Sequence, residues 1–214
     1  MDFFDAVAAR RSIRSFSGRE VPRASIEACL HAARLAPSGS NAQPWRFLIA
    51  RLPETLALLA EAGYNQPCLR QVPVVAVLMG DRGLYRKRLR RARELADIGA
   101  LSPENITLLE EHYRRRSDAR EDNDTGITAN CMLAGEHYVL AAASLGLGTC
   151  WVMLFDKNKV AGALGLDRKN NFPVALIPTG FPSEGTIPPR PRYTLAEIAW
   201  EERAESPWLE EGEK

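Results

Sequence analysis

The chain has 214 residues, 45% hydrophobic and 26% charged, a composition typical of an ordinary globular protein. Its 28 lysines and arginines are balanced by 27 acidic residues, so we do not expect a nucleic-acid-binding protein. The four cysteines include no CxxC pair and do not cluster with the three histidines, which argues against a metal site. The start lacks a signal-peptide pattern, and Glu136 and His137 interrupt the most apolar stretch, so we expect a cytoplasmic protein without a membrane span.

The first 80 residues predict helices and strands that alternate unevenly. We expect helices over residues 2–9, 23–35 and 53–62, and strands over 45–51 and 73–79. The second of these helices ends before Pro37, because proline disfavours helical backbone in the residue that precedes it. The strand over 73–79 is an almost unbroken β-branched run, which predicts a central strand buried on both faces.

Residues 82–124 are densely charged and predict two exposed helices, the second beginning at Ser102-Pro103-Glu104. A helix over 126–145 is apolar nearly all round, so we expect it to be central or at a subunit interface. Gly146 and Gly148 predict a helix cap and a turn into a strand. A helix over 157–164 and a strand over 172–181 follow, and the proline-rich tail predicts an extended arm. No strand leads into GxGxxG, so a dinucleotide-binding fingerprint is absent.

Three segments could carry chemistry. The N-terminal one combines guanidinium groups and a hydroxyl, both good phosphate ligands, and comprises Arg10, Arg11, Ser12 and Arg14. A second, over 37–45, is a stiff loop whose Asn41 and Gln43 can recognise the edge of a polar heterocycle. A third places Arg190 and Arg192 on one side of an extended, proline-rich stretch. Taken alone, the first is more typical of a solvated surface and the second of an ordinary turn, and the third could be an ordinary tail.

The combination of motifs resembles the FMN-dependent nitroreductase family. The matching stretches are RRSIRSF, PSGSNAQPWRF, LGLGTCWV and GFPSEGTIPPRPRYTLAEI, in the order and spacing of the family. The resemblance implies a single α+β domain over 1–214, with a three-layer fold in which helices wrap a central, mainly antiparallel sheet. It also implies an entwined homodimer with two FMN sites, each built from both chains.

The resemblance assigns cofactor contacts to individual residues. Arg10 and Ser12 would bind the FMN phosphate and ribityl chain together with Arg190 and Arg192, and Arg11 belongs to the same motif. The loop from the partner subunit would line the ring with Pro37, Ser38, Gly39, Asn41 and Gln43. Asn65 would contact the pyrimidine edge, and the strand end that covers one flavin face would comprise Cys150, Trp151, Val152 and Met153, with the Met153 N–H toward flavin N5.

One departure concerns the charge near flavin N1. Some members place a basic residue three positions after the matching asparagine, where this chain has Cys68. Charge stabilisation there would rest on Arg14 or on Arg70. A cation at this position favours reduced FMN, which carries negative charge.

The resemblance implies an NAD(P)H oxidoreductase that reduces nitroaromatics, quinones or related acceptors by ping-pong hydride transfer through FMN. The cofactor performs the chemistry, so no catalytic side chain and no metal are expected. A reductive dehalogenase or a flavin-fragmenting enzyme remains open, as does a non-catalytic FMN storage or sensor protein. We expect the insertion over 82–124 to act as a lid that sets substrate choice, and the segment over 186–214 to form an arm. The basic run over 82–93 is either a solvated helix face or an attractor of the NADPH 2′-phosphate.

Overall fold

The computed structural model describes residues 1–116, 124–185 and 190–209. Within these ranges, four strands form one antiparallel sheet in the order β1–β2–β4–β3. The strands are β1 (Trp45–Ala50), β2 (Val74–Asp81), β3 (Gly148–Thr149) and β4 (Asn171–Gly180). This confirms the predicted α+β class and the mainly antiparallel sheet.

Helices account for most of the remaining described residues. They are α1 (Phe3–Ala9), α2 (Arg23–Ala33), α3 (Pro53–Ala62), α4 (Pro67–Arg70), α5 (Arg82–Arg86), α6 (Arg88–Asp97), α7 (Pro103–Arg116), α8 (Asp124–Ser144), α9 (Lys157–Ala163) and α10 (Leu195–Ile198). A short 3-10 turn covers Gly39–Asn41. The sequence predicts most of these elements to within about two residues and misses α4, α10 and the 3-10 turn.

The β2 strand separates two apolar cores. All eight of its residues are buried. Because successive side chains of a strand point to opposite faces, Val74, Ala76 and Leu78 pack with α2 and α8. Val75 and Val77 pack on the other face with α3, α4 and α9. Helices therefore cover both faces of the sheet, which gives three layers and confirms the prediction of a strand buried on both sides.

The long helix α8 ends at a glycine cap. Gly146 has a φ of +74°, a left-handed conformation that glycine adopts without strain. The Leu147 N–H donates to the Ala142 carbonyl (2.9 Å) and the Gly146 N–H to the Ala143 carbonyl (3.0 Å). This pair of bonds satisfies carbonyls that a helix end leaves free, as the sequence predicts.

The insertion differs from its prediction. Three helices, α5 to α7, stand where the sequence predicts two, and the third begins at Pro103 as expected. The first predicted helix is divided at Lys87, whose backbone (φ −85°, ψ 5°) interrupts it. One face of α6 is not exposed, because Ala92 is fully buried. The predicted lid extends over residues 117–123, which lie outside the described residues.

An ion pair joins the two ends of the insertion. Arg82, the first residue of α5, donates from Nε to Oδ1 (2.8 Å) and from Nη2 to Oδ2 (2.7 Å) of Asp124, the first residue of α8. Its guanidinium also lies 4.7 Å from the ring centroid of Phe172. Two parallel hydrogen bonds and a cation–π contact hold the insertion at its base.

The chain divides into two compact units, residues 1–184 and 185–214. In the smaller unit, residues 190–194 are non-helical and Thr194 caps α10, where its N–H and Oγ1 both donate to Glu197 Oε2 (2.8 and 2.9 Å). Residues 186–189 and 210–214 of the predicted arm lie outside the described residues, and the single-domain organisation stays a prediction. Among the described residues, no helix has both the length and the apolar character needed to cross a bilayer.

The packing of Trp151 against α8 depends on Gly135. A Cβ at Gly135 would lie 2.3 Å from Trp151 Cη2 and 2.9 Å from Leu78 Cδ2. We predict that Gly135→Ala lowers the melting temperature by roughly 2–10 °C, because overpacking costs about 1–3 kcal/mol. The matched control is Gly162→Ala in α9, where nothing lies within 4 Å of an added Cβ. It should leave the melting temperature unchanged or raise it, and equal losses in the two variants would contradict the packing argument.

Candidate functional site

The N-terminal motif is attached to the edge strand of the sheet. Ser12 forms a parallel β-bridge with Thr149, and the Ile13 N–H donates to the Thr149 carbonyl (2.8 Å). Gly148 permits this close approach, because a Cβ there would lie 2.5 Å from Ile13 Cγ1. Residues 10–14 therefore lie beside the start of the segment 149–153.

The arginines of this motif have different partners. Arg10 is three-quarters buried and its Nε lies 3.9 Å from Glu136 Oε1 on α8. The Arg11 guanidinium donates to the carbonyls of Ala8 and Arg10, so it satisfies groups at the end of α1. Arg14 is exposed and donates to the Ser12 carbonyl (3.3 Å). Arg10 and Arg14 thus carry positive charge to this edge, while Arg11 is occupied with the helix end.

A third segment meets the same edge. Asn65 has a left-handed backbone (φ +52°), and its carbonyl accepts from Arg70 Nε (2.6 Å). Gln66 Nε2 donates to the Leu154 carbonyl (2.8 Å), which ties this segment to the end of 149–153. The structure therefore brings together residues 10–14, 65–70 and 149–153, which we call the first half-site.

Two buried thiols face each other in the first half-site. Cys68 and Cys150 are 3% and 5% exposed. A hydrogen bond from Cys68, aided by the positive charge of Arg14 and opposed by burial, lowers the pKa of Cys150 to about 7. The same hydrogen bond and burial raise the pKa of Cys68. The pair therefore releases one proton readily and retains the other, and Arg14 lies close enough to act on both thiols.

The segment 149–153 ends in an available donor. Val152 and Leu176 exchange backbone hydrogen bonds (both 3.0 Å), which fixes the chain up to that point. Met153 is half exposed, and its N–H donates to no residue that the structure describes. Trp151 packs on α8 over Gly135. The resemblance implies a donor at Met153, and a free N–H on a half-exposed residue is consistent with it among the described residues.

The predicted loop over 37–44, which we call the amide loop, is anchored to α8 and within itself. The Gly39 N–H donates to Asn130 Oδ1 (2.9 Å). The Gln43 N–H donates to Ser38 Oγ (3.0 Å), and Gln43 Nε2 donates to Asn41 Oδ1 (2.7 Å). The side chains of Asn41 and Gln43 are half-buried and orient each other, which presets an amide edge for recognition.

The backbone of the amide loop is strained at three positions. Ser40, Asn41 and Gln43 have φ values of +54°, +51° and +46°. Left-handed backbone costs a residue with a side chain about 1–3 kcal/mol, so neighbouring contacts must hold it. A Cβ on Gly39 would meet nothing within 4 Å, which leaves open space beside the loop. A strained, preset loop beside open space is typical of a ligand-binding segment.

The amide loop and the first half-site contact different sides of α8. Asn130 of α8 holds the loop. Glu136, six residues after Asn130 in the same helix, pairs with Arg10. At 3.6 residues per turn, these two side chains point in directions about 120° apart, and they are separated by roughly 9 Å along the axis. Arg190 and Arg192, both exposed, belong to the smaller unit, where Arg192 Nη1 donates to the Pro191 carbonyl (3.0 Å). Their convergence with Arg10 on one phosphate stays a prediction.

Sequence reasoning misses several contacts of the site. Asn130 and Glu136 are polar residues in an otherwise apolar helix, and this pattern is the signal that could have found them. The contact between Cys68 and Cys150 joins positions 82 residues apart, and neither cysteine lies in a recognisable thiol motif. Tyr113, whose hydroxyl lies 2.8 Å from Ser40 Oγ, comes from the variable insertion and has no signal in the sequence.

The residues present are compatible with FMN. Arg10, Ser12 and Arg14 provide phosphate and hydroxyl donors, the Met153 N–H is free among the described residues, and the amide loop carries donors and acceptors for a heterocycle. Among the described residues, the amide loop and Arg10 contact different sides of α8.

Comparison with known proteins gives a consistent result. The family model described as the nitroreductase family matches residues 7–181. A Thermus thermophilus protein named NADH dehydrogenase is 31% identical over 190 residues, covering 88% of this chain and 90% of its own. A Bacillus subtilis candidate NAD(P)H nitroreductase, YdgI, is 28% identical over 185 residues, covering 84% and 88%. A candidate nitroreductase from Exiguobacterium sibiricum, solved in complex with FMN, superposes with a TM-score of 0.78 at 25% identity, covering 94% and 98%. These likenesses confirm the predicted three-layer fold.

The thiol pair gives a titration that can be measured. We predict that the ultraviolet absorbance of thiolate rises with a midpoint near pH 7 as Cys150 loses its proton. In Cys68→Ala the midpoint moves upward, because the hydrogen bond that stabilises the thiolate is lost while burial remains. Cys29→Ala is the matched control, since burial raises the pKa of Cys29 to about 12 and keeps it silent at neutral pH. An unchanged midpoint in Cys68→Ala would refute the pairing.

Proposed function

We propose that this chain, which belongs to the nitroreductase family, is an FMN-dependent NAD(P)H oxidoreductase that reduces nitroaromatic, quinone or related acceptors. The observation that carries the proposal is the placement of Arg10, Ser12 and Arg14 at the same sheet edge as the free N–H of Met153. The Thermus thermophilus relative is named for NADH oxidation, and the Exiguobacterium sibiricum structure contains FMN. Both support a flavin cofactor with a nicotinamide reductant.

FMN, when bound, would supply the redox chemistry by accepting a hydride equivalent from NAD(P)H and passing electrons to the acceptor. Arg10 and Ser12 would hold the phosphate end, with Arg10 exchanging Glu136 for a phosphate oxygen. The Met153 N–H would orient the ring as a hydrogen-bond donor at N5. Asn41 and Gln43 would supply amide donors and acceptors along the polar edge. No side chain of this set needs to act as an acid or base.

The charge near the pyrimidine end comes from Arg14 in this proposal. The positive charge of Arg14 helps to lower the pKa of Cys150 and opposes the rise at Cys68, the position where some family members have a basic residue, which supports a location of Arg14 near both thiols. Arg70, the other candidate, donates its Nε to the Asn65 carbonyl and is committed to that turn. Arg14 is therefore the better source of a cation for reduced flavin.

A homodimer would bring the amide loop to the first half-site. The loop and Arg10 contact sides of α8 that point about 120° apart, which favours a site that takes its loop from a second chain. An apolar groove of about 820 Å³ runs between α1 and α8 and includes Phe3, Leu133 and Trp151 in its lining. Phe3 on α1 is 64% exposed. Apolar surface of this kind next to the first half-site is typical of a subunit interface.

Binding of FMN can be tested directly on the purified protein. The purified protein is expected to be yellow with bound FMN and to bleach when NAD(P)H is added without oxygen. Arg10→Gln should weaken FMN binding by about 10- to 100-fold, because it removes a charge-assisted contact to phosphate. Arg23→Gln, an exposed arginine on α2, is the matched control and should bind FMN as the unmodified chain does.

The outcomes separate the alternatives. A colourless protein that takes up no FMN would end the proposal. Bound FMN that NAD(P)H does not bleach would indicate a storage or sensor protein. Turnover confined to halogenated aromatics in a panel of acceptors would indicate a reductive dehalogenase, and loss of FMN as cleaved products would indicate a flavin-fragmenting enzyme.

Assembly of two chains into a homodimer can be tested through the mass of the protein in solution. Light scattering should give the mass of two chains, and Phe3→Glu should give one chain with weakened FMN binding, because Phe3 lines the groove and a carboxylate cannot enter an apolar interface without a large cost. Leu52→Glu is the matched control, since Leu52 is 61% exposed at the start of α3 and does not line the groove. A single-chain mass for the unmodified protein with FMN bound would show that one chain suffices.

A further inference from the structure

The insertion contacts the amide loop directly. Tyr113 on α7 has its hydroxyl 2.8 Å from Ser40 Oγ. Arg91 on α6 lies with its Nε 3.3 Å from the Asn41 carbonyl, to which it donates. Both contacts reach the loop from helices that match no shared motif, and they fall on two adjacent loop residues.

The tyrosine is held in place by a stacked arginine. The guanidinium of Arg88 lies 4.3 Å from the ring centroid of Tyr113 and 4.6 Å from that of Tyr85. Arg88 Nη1 donates to the Tyr85 carbonyl (3.2 Å), and its buried Nε has no hydrogen-bond partner among the described residues. A guanidinium with an unsatisfied N–H is costly, so the two ring contacts must offset that cost. Arg88 is thereby a packing element that orients Tyr113.

The contacts fall where the loop backbone is strained. Ser40 and Asn41 both have left-handed backbone. Without contacts that hold this conformation, such residues return to ordinary backbone regions. The bond from Gly39 to Asn130 and the bond from Gln43 to Ser38 hold the loop at either side of this pair. The Asn41 N–H also donates to the Ser38 carbonyl (3.0 Å) within the loop, and the insertion adds contacts to the Ser40 hydroxyl and the Asn41 carbonyl.

We propose that Tyr113 and Arg91 are positioning residues for FMN, acting through the amide loop. This inference rests on the proposed function and deepens it. By holding Ser40 and Asn41 in their left-handed conformation, the two side chains preset the amide groups of Asn41 and Gln43 before the cofactor arrives. A loop that is already ordered loses less conformational entropy on binding, so the insertion sets cofactor retention.

The experiment compares Tyr113→Phe with the unmodified holoprotein. The variant loses only the hydroxyl, so the ring stack on Arg88 remains. We expect FMN to be released about three- to tenfold faster, followed by the fluorescence of the freed flavin after dilution. Amide hydrogen exchange at residues 41–43 of the protein without FMN should rise by a similar factor, because these N–H groups are protected only while the loop keeps its shape.

Two further variants separate positioning from general loosening. Tyr85→Phe removes the hydroxyl from the other ring on Arg88 and should behave as the unmodified chain in both measurements. The double variant Ser40→Ala, Tyr113→Phe should be no worse than Tyr113→Phe alone, since the two hydroxyls act through one bond. Additive losses in the double variant, or an equal effect of Tyr85→Phe, would overturn the proposal.

The two proposals fail in different ways. Unmodified protein that never binds FMN refutes the proposed function and, with it, the role assigned to Tyr113 toward the cofactor. Unmodified protein that binds FMN, with Tyr113→Phe unchanged in both flavin release and hydrogen exchange, refutes only the positioning role.

Discussion

The burial of β2 on both faces determines where chemistry can occur in this molecule. Both faces need apolar side chains to form the two cores, and an unpartnered polar group there would be costly. Polar groups therefore concentrate where strands end. Asp81, the last residue of β2, pairs with Arg46 (3.0 Å) and accepts the Leu84 N–H (2.9 Å), while its own N–H donates to the Pro44 carbonyl (2.8 Å). The end of β2 thus anchors both the amide loop and the insertion.

The helix α8 connects the two halves of the candidate site. It is apolar except at a few positions, and two of these, Asn130 and Glu136, contact the amide loop and the N-terminal arginine. Polar residues in a central helix are retained when they have partners, and here the partners are the segments that would meet the cofactor. The same helix lines the apolar groove beside α1. Folding and the proposed assembly therefore both depend on α8. We expect a substitution that disrupts the packing of this helix to affect both.

The sequence predicts elements that are determined locally. The helix over 53–62 matches its predicted bounds, because a proline at its start and its apolar spacing are local signals. The left-handed Ser40, Asn41 and Gln43 could not be predicted from residue type, since glycine is the usual occupant and contacts from distant segments stabilise them here. The division of the first insertion helix at Lys87 also depends on distant contacts. The charged residues of this helix favour a continuous helix when tertiary contacts are ignored, so the sequence does not predict the break.

The residues assigned to the cofactor also divide into positions that motifs predict and contacts that only the fold reveals. The resemblance assigns Arg10, Ser12 and Met153 to one ligand, and the structure does bring these three to one sheet edge. The interaction between Cys68 and Cys150 depends on how α4 meets the strand end, which no spacing in the sequence encodes. Positions that follow from motif order are thus predictable, whereas pairings between separate segments require the fold.

The ion pair between Arg82 and Asp124 has a consequence for how the chain diversifies. Because this clamp fastens the first residue of the insertion to its last, the two ends of the insertion stay together whatever the length of the segment between them. Loop-closure entropy grows only slowly with length, so segments could be exchanged between these two residues at little thermodynamic cost. Arg82 and Asp124 mark points between which a different segment could be inserted while β2 and α8 keep their packing, at the loss of the contacts that Tyr113 and Arg91 make to the amide loop.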